Sequence, residues 1–97
     1  MVHITIVGLK QSQARLVEGQ FAGAARFTFL PADRSDTRLP LGTGWVIISR
    51  FTGHRWSVAA FGQLPRSRVM FCGGGIVSIL RLVDFALQNS EMLNSVA

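Results

Sequence analysis

The sequence predicts an α/β domain: a four-stranded parallel sheet carrying three helices. Four short runs rich in β-branched and aromatic residues recur along the 97 residues. Segments with helical periodicity follow the first, third and fourth of them. The connections are short and punctuated by Gly and Pro, apart from one polar loop. Strands alternating with helices through short links are the pattern that yields parallel pairing by right-handed crossovers.

The first strand is V-H-I-T-I-V (residues 2–7), closed by Gly8. Its β-branched content suits a central strand. Residues 11–21 read as a helix, with Ala14, Val17 and Phe21 on one face, Ser12 as its expected cap, and Gly23 closing it. R-F-T-F-L (residues 26–30) alternates as a strand does when one side is exposed, and Pro31 stops it. Residues 32–44 hold Asp33, Arg34, Asp36, Arg38, Pro40, Gly42 and Gly44, which is loop chemistry. W-V-I-I-S (residues 45–49) is apolar enough for a strand covered on both faces.

Thr52 is the expected cap of a second helix running from about Gly53 to Leu64, which Pro65 ends. R-V-M-F-C (residues 68–72) is the fourth strand, and Gly73, Gly74 and Gly75 lead into a last helix from Ile76 to about Asn89. The expectation is one small Rossmann-like three-layer domain over residues 1–97, with sheet order 2-1-3-4 and a flexible tail at 90–97.

Composition limits function. Hydrophobic residues make up 48% of the chain and charged ones 15%, an apolar balance for a domain with so much surface per volume. The fourth strand should lie at an edge, yet it is apolar on both faces. The last helix has one polar stripe (Ser78, Arg81, Asp84, Gln88) among apolar neighbours. A homodimer through strand 68–72 and helix 76–89 is therefore expected, unless the C-terminal tail covers these surfaces.

The net charge is +5, and nine of the ten basic residues are Arg. Arginine's planar fork suits phosphate and carboxylate groups, although an Arg-rich genome would leave the same mark. Cys72 is the only cysteine, which rules out an intrachain disulfide and a four-cysteine zinc site. No basic leader precedes the first strand, and the last helix is interrupted by Arg81 and Asp84. A cytoplasmic protein with no membrane span is expected.

In an open parallel sheet, ligands bind beyond the carboxyl ends of the strands, where the strand order reverses. That places the loop after the first strand (Gly8, Lys10, Ser12) against the loop after the third (Arg50, Thr52, His54, Arg55). Arg34 and Arg38 are expected on the same rim, with Gly73, Gly74 and Gly75 on its other side. Helix N-termini converge there, and their free N–H groups favour anions. The glycine triplet either brings backbone close to a phosphate or serves only as a tight turn. Neither G-x-G-x-x-G nor G-x-x-x-x-G-K-[ST] occurs, so no cofactor is expected, and no carboxylate pattern suggests a metal.

His54 is the one candidate acid–base, or else a solvated side chain. His3, inside a strand, is read as structural. Cys72, beside a helix start, is either an inert buried thiol or a stabilised thiolate. Trp45 and Trp56 are read as core or interface, with base stacking as the alternative for Trp56.

The segment Ile6, Val7, Gly8, the apolar third strand leading to His54, and the close R-V-M-F-C-G-G-G-I-V-S-I-L-R-L-V resemble a small bacterial family, domain of unknown function 2325. The likeness covers residues 3 to 87. The family's His-Asp-Gly-like element after the second strand is replaced here by Pro31, Ala32, Asp33 and Arg34, and a cysteine in the second crossover helix is absent. The resemblance implies a Rossmann-like fold and leaves the activity open.

Three functions follow from these readings. The first is a non-enzymatic, dimeric module that binds a phosphate-bearing ligand, either a nucleotide-type signal or a nucleic-acid backbone. Lys10, Arg50 and Arg55 would act as charge clamps, and residues 73–75 would give backbone contacts. The second is an enzyme acting on a phosphodiester or nucleotide through His54. The third is a regulatory factor whose arginines meet an acidic protein partner.

Overall fold

The computed structural model describes residues 1–49, 52 and 54–96, with side chains as far as Ser90. The chain runs β1 (His3–Val7), α1 (Gln11–Gln20), β2 (Arg26–Leu30), β3 (Trp45–Ser49), α2 (His54–Gln63), a 3-10 turn (Arg66–Arg68), β4 (Val69–Cys72) and α3 (Ile76–Val96). All neighbouring strands are parallel, in the order β2-β1-β3-β4. The fold is the α/β arrangement expected from the sequence.

The central pair explains the order. Every residue of β1 and β3 is buried, so each must be flanked by a strand on either side and covered on both faces. One face of the sheet presents Ile4, Ile6, Trp45 and Ile47 to Val17 of α1 and to Ile79, Val83 and Ala86 of α3. The other presents Val7, Leu30, Val46, Ile48 and Val69 to Trp56 and Ala60 of α2. Each fully buried aliphatic side chain contributes roughly 1.5–3 kcal/mol relative to exposure.

The two faces are therefore unequally covered, two helices against one. The 31–44 loop supplies the missing cover beside β1 and β2, with Leu39 packing into that core. It is stitched to α2 by Gln63, whose Oε1 accepts the Leu39 N–H (2.7 Å) and whose Nε2 donates to Thr37 O (3.2 Å). No equivalent segment lies over β4 among the described residues. Phe71, on that face, is consequently 53% exposed.

Several boundaries differ from the expectation. The segment at Arg68 is a 3-10 turn rather than strand, because Arg68 N–H bonds to Pro65 O (2.9 Å). The last helix passes the expected stop at Asn89 and reaches Val96, since no Gly or Pro interrupts residues 76–97. Ser90 is joined to β3 by a hydrogen bond from Trp45 Nε1 (2.7 Å). The position preceding α1 is Lys10, not Ser12: its backbone is extended and its N–H is accepted by Gln13 Oε1 (3.1 Å), half of a capping box. The expected helix start at Gly53 lies outside the described residues.

The interior also holds polar groups. Thr5 and Thr43 share a buried hydrogen bond (2.9 Å), and His3 Nε2 shares one with Thr28 Oγ1 (2.7 Å). His3 Nδ1 is buried without a partner. Burial first, and then the positive charge of Arg26, holds the His3 pKa below the ordinary 6.5. Below about pH 6.5 the unfolded chain takes up a proton that folded His3 declines, so stability should fall as the pH drops below about 6.5. Denaturant titrations across that range should show the slope in the native protein and a shallower one in His3→Gln.

Gly8 makes the turn after β1 with φ +92°. A Cβ there would overlap Ser49 Oγ and lie 2.6 Å from Thr52 Cγ2. Gly23 also has a positive φ, +79°, but a Cβ there meets open space. Gly23→Ala should therefore lose only the conformational term, about 1–3 kcal/mol. Gly8→Ala should lose that plus an overpacking term of similar size, and equal losses in chemical denaturation would refute the steric account.

Candidate functional site at the carboxyl edge of the sheet

The carboxyl edge is organised around Ser49, the one polar residue of β3. The register pairs Val7 with Ile48 and Ser49 with Cys72, so Gly8, Ser49 and Cys72 form a row across the top of three strands. Ser49 Oγ donates to Gly8 O (3.3 Å). Thr52 Oγ1 donates to Ser49 O (2.9 Å), so its hydroxyl is turned back to the strand end rather than forward to cap α2.

Two depressions open on either side of this row. The first, about 200 Å³, lies between the β1–α1 and β4–α3 turns and is lined by Gly8, Leu9, Lys10, Gln13, Ser49, Gly74, Gly75 and Ile79. The starts of α1 and α3 converge on it, bringing two sets of free backbone N–H groups and two positive dipole ends to one small volume. Lys10 is exposed at its mouth, and the one ion pair among the described residues, Arg38 with Asp36 (3.4 Å), lies elsewhere. The second depression, about 380 Å³ and more open, is on the α2 face. It is lined by Ile48, Ser49, Thr52, His54, Ser57, Phe71, Cys72 and Gly73.

The glycine triplet divides between these depressions, and its members have different roles. None of the three has a positive φ. A Cβ at Gly74 would overlap Ser78 Oγ and lie 3.0 Å from Ser78 Cβ, so a side chain there would have to displace Ser78 on α3. A Cβ at Gly75 meets no atom within 4 Å. Neither backbone conformation nor internal packing demands glycine at position 75.

The expected site residues are thus only partly brought together. Gly8, Lys10, Gly74 and Gly75 share the first depression; Thr52, His54 and Gly73 share the second. Ser12 is exposed in the first turn of α1, outside the lining of both. Arg50 lies outside the described residues. Gln13, Ser49, Ser57 and Phe71 also line the depressions and were not expected as site residues. Ser49 carried a signal, being a hydroxyl at the end of an otherwise apolar strand.

The arginines correct the expected basic rim. Arg55 is occupied: its guanidinium donates to the carbonyls of Ala32 (3.0 Å), Arg34 and Ser35 (3.3 Å) and lies 5.8 Å from the Trp56 ring centre. It fastens the 31–44 loop to α2 and is no charge clamp. Trp56 is fully buried and donates its Nε1–H to Ala32 O (2.8 Å), which removes it as a platform for a base. Arg34 does not line either depression. Its charge lies near Asp36, whose carboxyl is held below its ordinary range chiefly by the Arg38 backbone N–H and side chain, with Arg34 a lesser contributor.

Arg38 is at the other end of the domain, because its neighbours Thr37 and Leu39 are bound to Gln63 in the last turn of α2. Arg26, Arg66 and Arg68 lie at that end too, Arg66 over the Phe61 ring (5.2 Å) and Arg68 over Trp45 (4.7 Å). Positive charge among the described residues is spread over both ends, not gathered at one.

His54 is the first residue of α2 and is exposed. Its carbonyl accepts the Ser57 hydroxyl (2.8 Å), while no described side chain orients its ring. Cys72 is buried, with Sγ 3.5 Å from Gly74 O. No group of three His, Cys, Asp or Glu among the described residues could hold a metal ion. Among the described residues, no helix is long and apolar enough to cross a membrane.

No family model, curated protein or solved structure matches the chain.

The Arg55 contacts predict a local loss of order. Arg55→Ala should speed amide exchange across residues 32–36 and lower stability by about 1–2 kcal/mol, the value of hydrogen bonds from a charged donor. Arg55→Lys should recover little of it, since one ammonium cannot span three carbonyls as the fork does. Full recovery in the lysine variant would remove the multidentate role.

Proposed function

We propose that this protein is a non-enzymatic binding module whose ligand places a phosphate in the crevice between the β1–α1 and β4–α3 turns. The observation that supports it best is Gly75: it lines the crevice, precedes the first residue of α3, and is glycine where folding does not ask for glycine. A missing side chain there lets an anion reach the backbone N–H groups at the start of α3. Lys10, exposed and without an acidic partner among the described residues, supplies the mobile charge.

The crevice favours a small ligand over a polymer. A nucleic-acid backbone is recognised by a continuous track of cations, and the described arginines make no such track. Catalysis by His54 has less support, because a general base needs a group that fixes its ring. An acidic protein partner would have to meet cations divided between two ends of the domain.

Dimerisation through β4 and α3 belongs to the same proposal. β4 is an edge strand with no charged residue to discourage pairing, and Val77 and Phe85 of α3 are 60% and 51% exposed. Cytoplasmic residence is likewise part of this reading.

Ribose 5-phosphate, a phosphomonoester, is a suitable probe for chemical-shift titration. Lys10→Ala should weaken its binding roughly tenfold, the loss of one charge-assisted contact. Gly75→Asp should abolish binding while keeping or raising the melting temperature, because aspartate is a favoured residue before a helix and repels the anion. Unchanged affinity in Gly75→Asp would reject the crevice as the phosphate site.

A further inference from the structure

The second depression lacks an occupant in this scheme, and its chemistry differs from that of the first. Its floor is Ile48 and Ser49, its outer wall is the Phe71 ring, and His54 and Ser57 stand at its rim on α2. Phe71 is 53% exposed and its ring centre lies 5.7 Å from that of Phe61, tilted by 51°. Phe61 thus supports the Phe71 ring from one side. Ser49 lines both depressions, and residues 72–75 pass from one to the other. The two spaces are therefore adjacent across a single hydroxyl.

We infer that the ligand is a free mononucleotide lying across the carboxyl edge, with its phosphate in the Gly75–Lys10 crevice and its base against Phe71. This rests on the phosphate reading above and extends it to the ligand class. An aromatic face offers stacking to any base. His54 and Ser57 offer hydrogen-bonding groups to the base edge, which needs them if it leaves water. The sugar crosses Ser49, whose hydroxyl donates to Gly8 O and keeps acceptor capacity on its oxygen. The exposed aromatic surface over β4 is in this view a ligand platform left bare by the single-helix face, and His54 is a recognition group.

The test compares AMP with ribose 5-phosphate, which carries the same phosphate and sugar without the base, on the full chain by chemical-shift titration. The native protein should bind AMP roughly tenfold more tightly, as one base stack provides. Phe71→Ala should bring the two affinities together and leave that for ribose 5-phosphate unchanged. Phe71→Trp should retain the preference, with indole fluorescence quenched by AMP and not by ribose 5-phosphate.

Equal affinities in the native protein would overturn the base arm and leave the phosphate crevice standing. Binding of neither would overturn both. A single-stranded oligonucleotide binding far more tightly than AMP, and releasing steeply with salt, would replace the mononucleotide by a polymer. A Phe71→Ala variant that changes oligomeric state on a sizing column, with AMP affinity intact, would assign the ring to a second copy and overturn the inference.

Discussion

The turn at Gly8 is the constraint on which the edge of this domain depends. β1 and β3 are buried along their whole length and pair in parallel, so their carboxyl ends must separate abruptly to feed helices on opposite faces. Gly8 makes that separation in a left-handed conformation, with Ser49 and Thr52 packed where a side chain would be. Only glycine satisfies both conditions at little strain. The close approach lets Ser49 donate to Gly8 O and Thr52 donate to Ser49 O. The crevice beside Gly8 is a consequence of the same divergence.

Unequal cover of the sheet is the second organising fact. α1 and α3 share one face, while α2 has the other and leans on the 31–44 loop for help. That loop is long and polar, and such segments are normally mobile at the surface. Here Arg55, Trp56 and Gln63, all on α2, hold its carbonyls and amides. The bonds satisfy backbone groups that would otherwise be left partly shielded from water without partners. Over β4 nothing among the described residues plays this part, and Phe71, supported by Phe61, is half exposed.

Electrostatics follows packing more than net charge. A chain with a surplus of five positive charges invites a single basic surface, but its arginines serve several purposes. Arg55 binds carbonyls, Arg38 pairs with Asp36, and Arg66 and Arg68 lie over aromatic rings. A guanidinium stacked on a ring or chelating carbonyls has little freedom left for a ligand. Among the described residues, the single lysine, Lys10, stands at the mouth of the crevice between the starts of α1 and α3.

The sequence by itself determined the elements, the parallel topology and the strand order, because these rest on local patterns. The β-branched run at 2–7 marks a central strand, the apolar run at 45–49 marks one covered on both faces, and Gly8, Pro31 and Pro65 mark where elements end. The switch-point rule pointed to the carboxyl edge of the sheet but set Gly8 and Lys10 against the β3–α2 loop; the structure groups them with Gly74 and Gly75 instead. The tertiary structure alone decided which side chains were free to act. Arg55 and Arg38 were counted as rim cations because their destinations, loop carbonyls and the far end of α2, depend on how the 31–44 loop folds back, which no periodicity encodes. Ser49 and Phe71 acquired importance through register and through the absence of a covering helix, both of which are relations between segments distant in the chain.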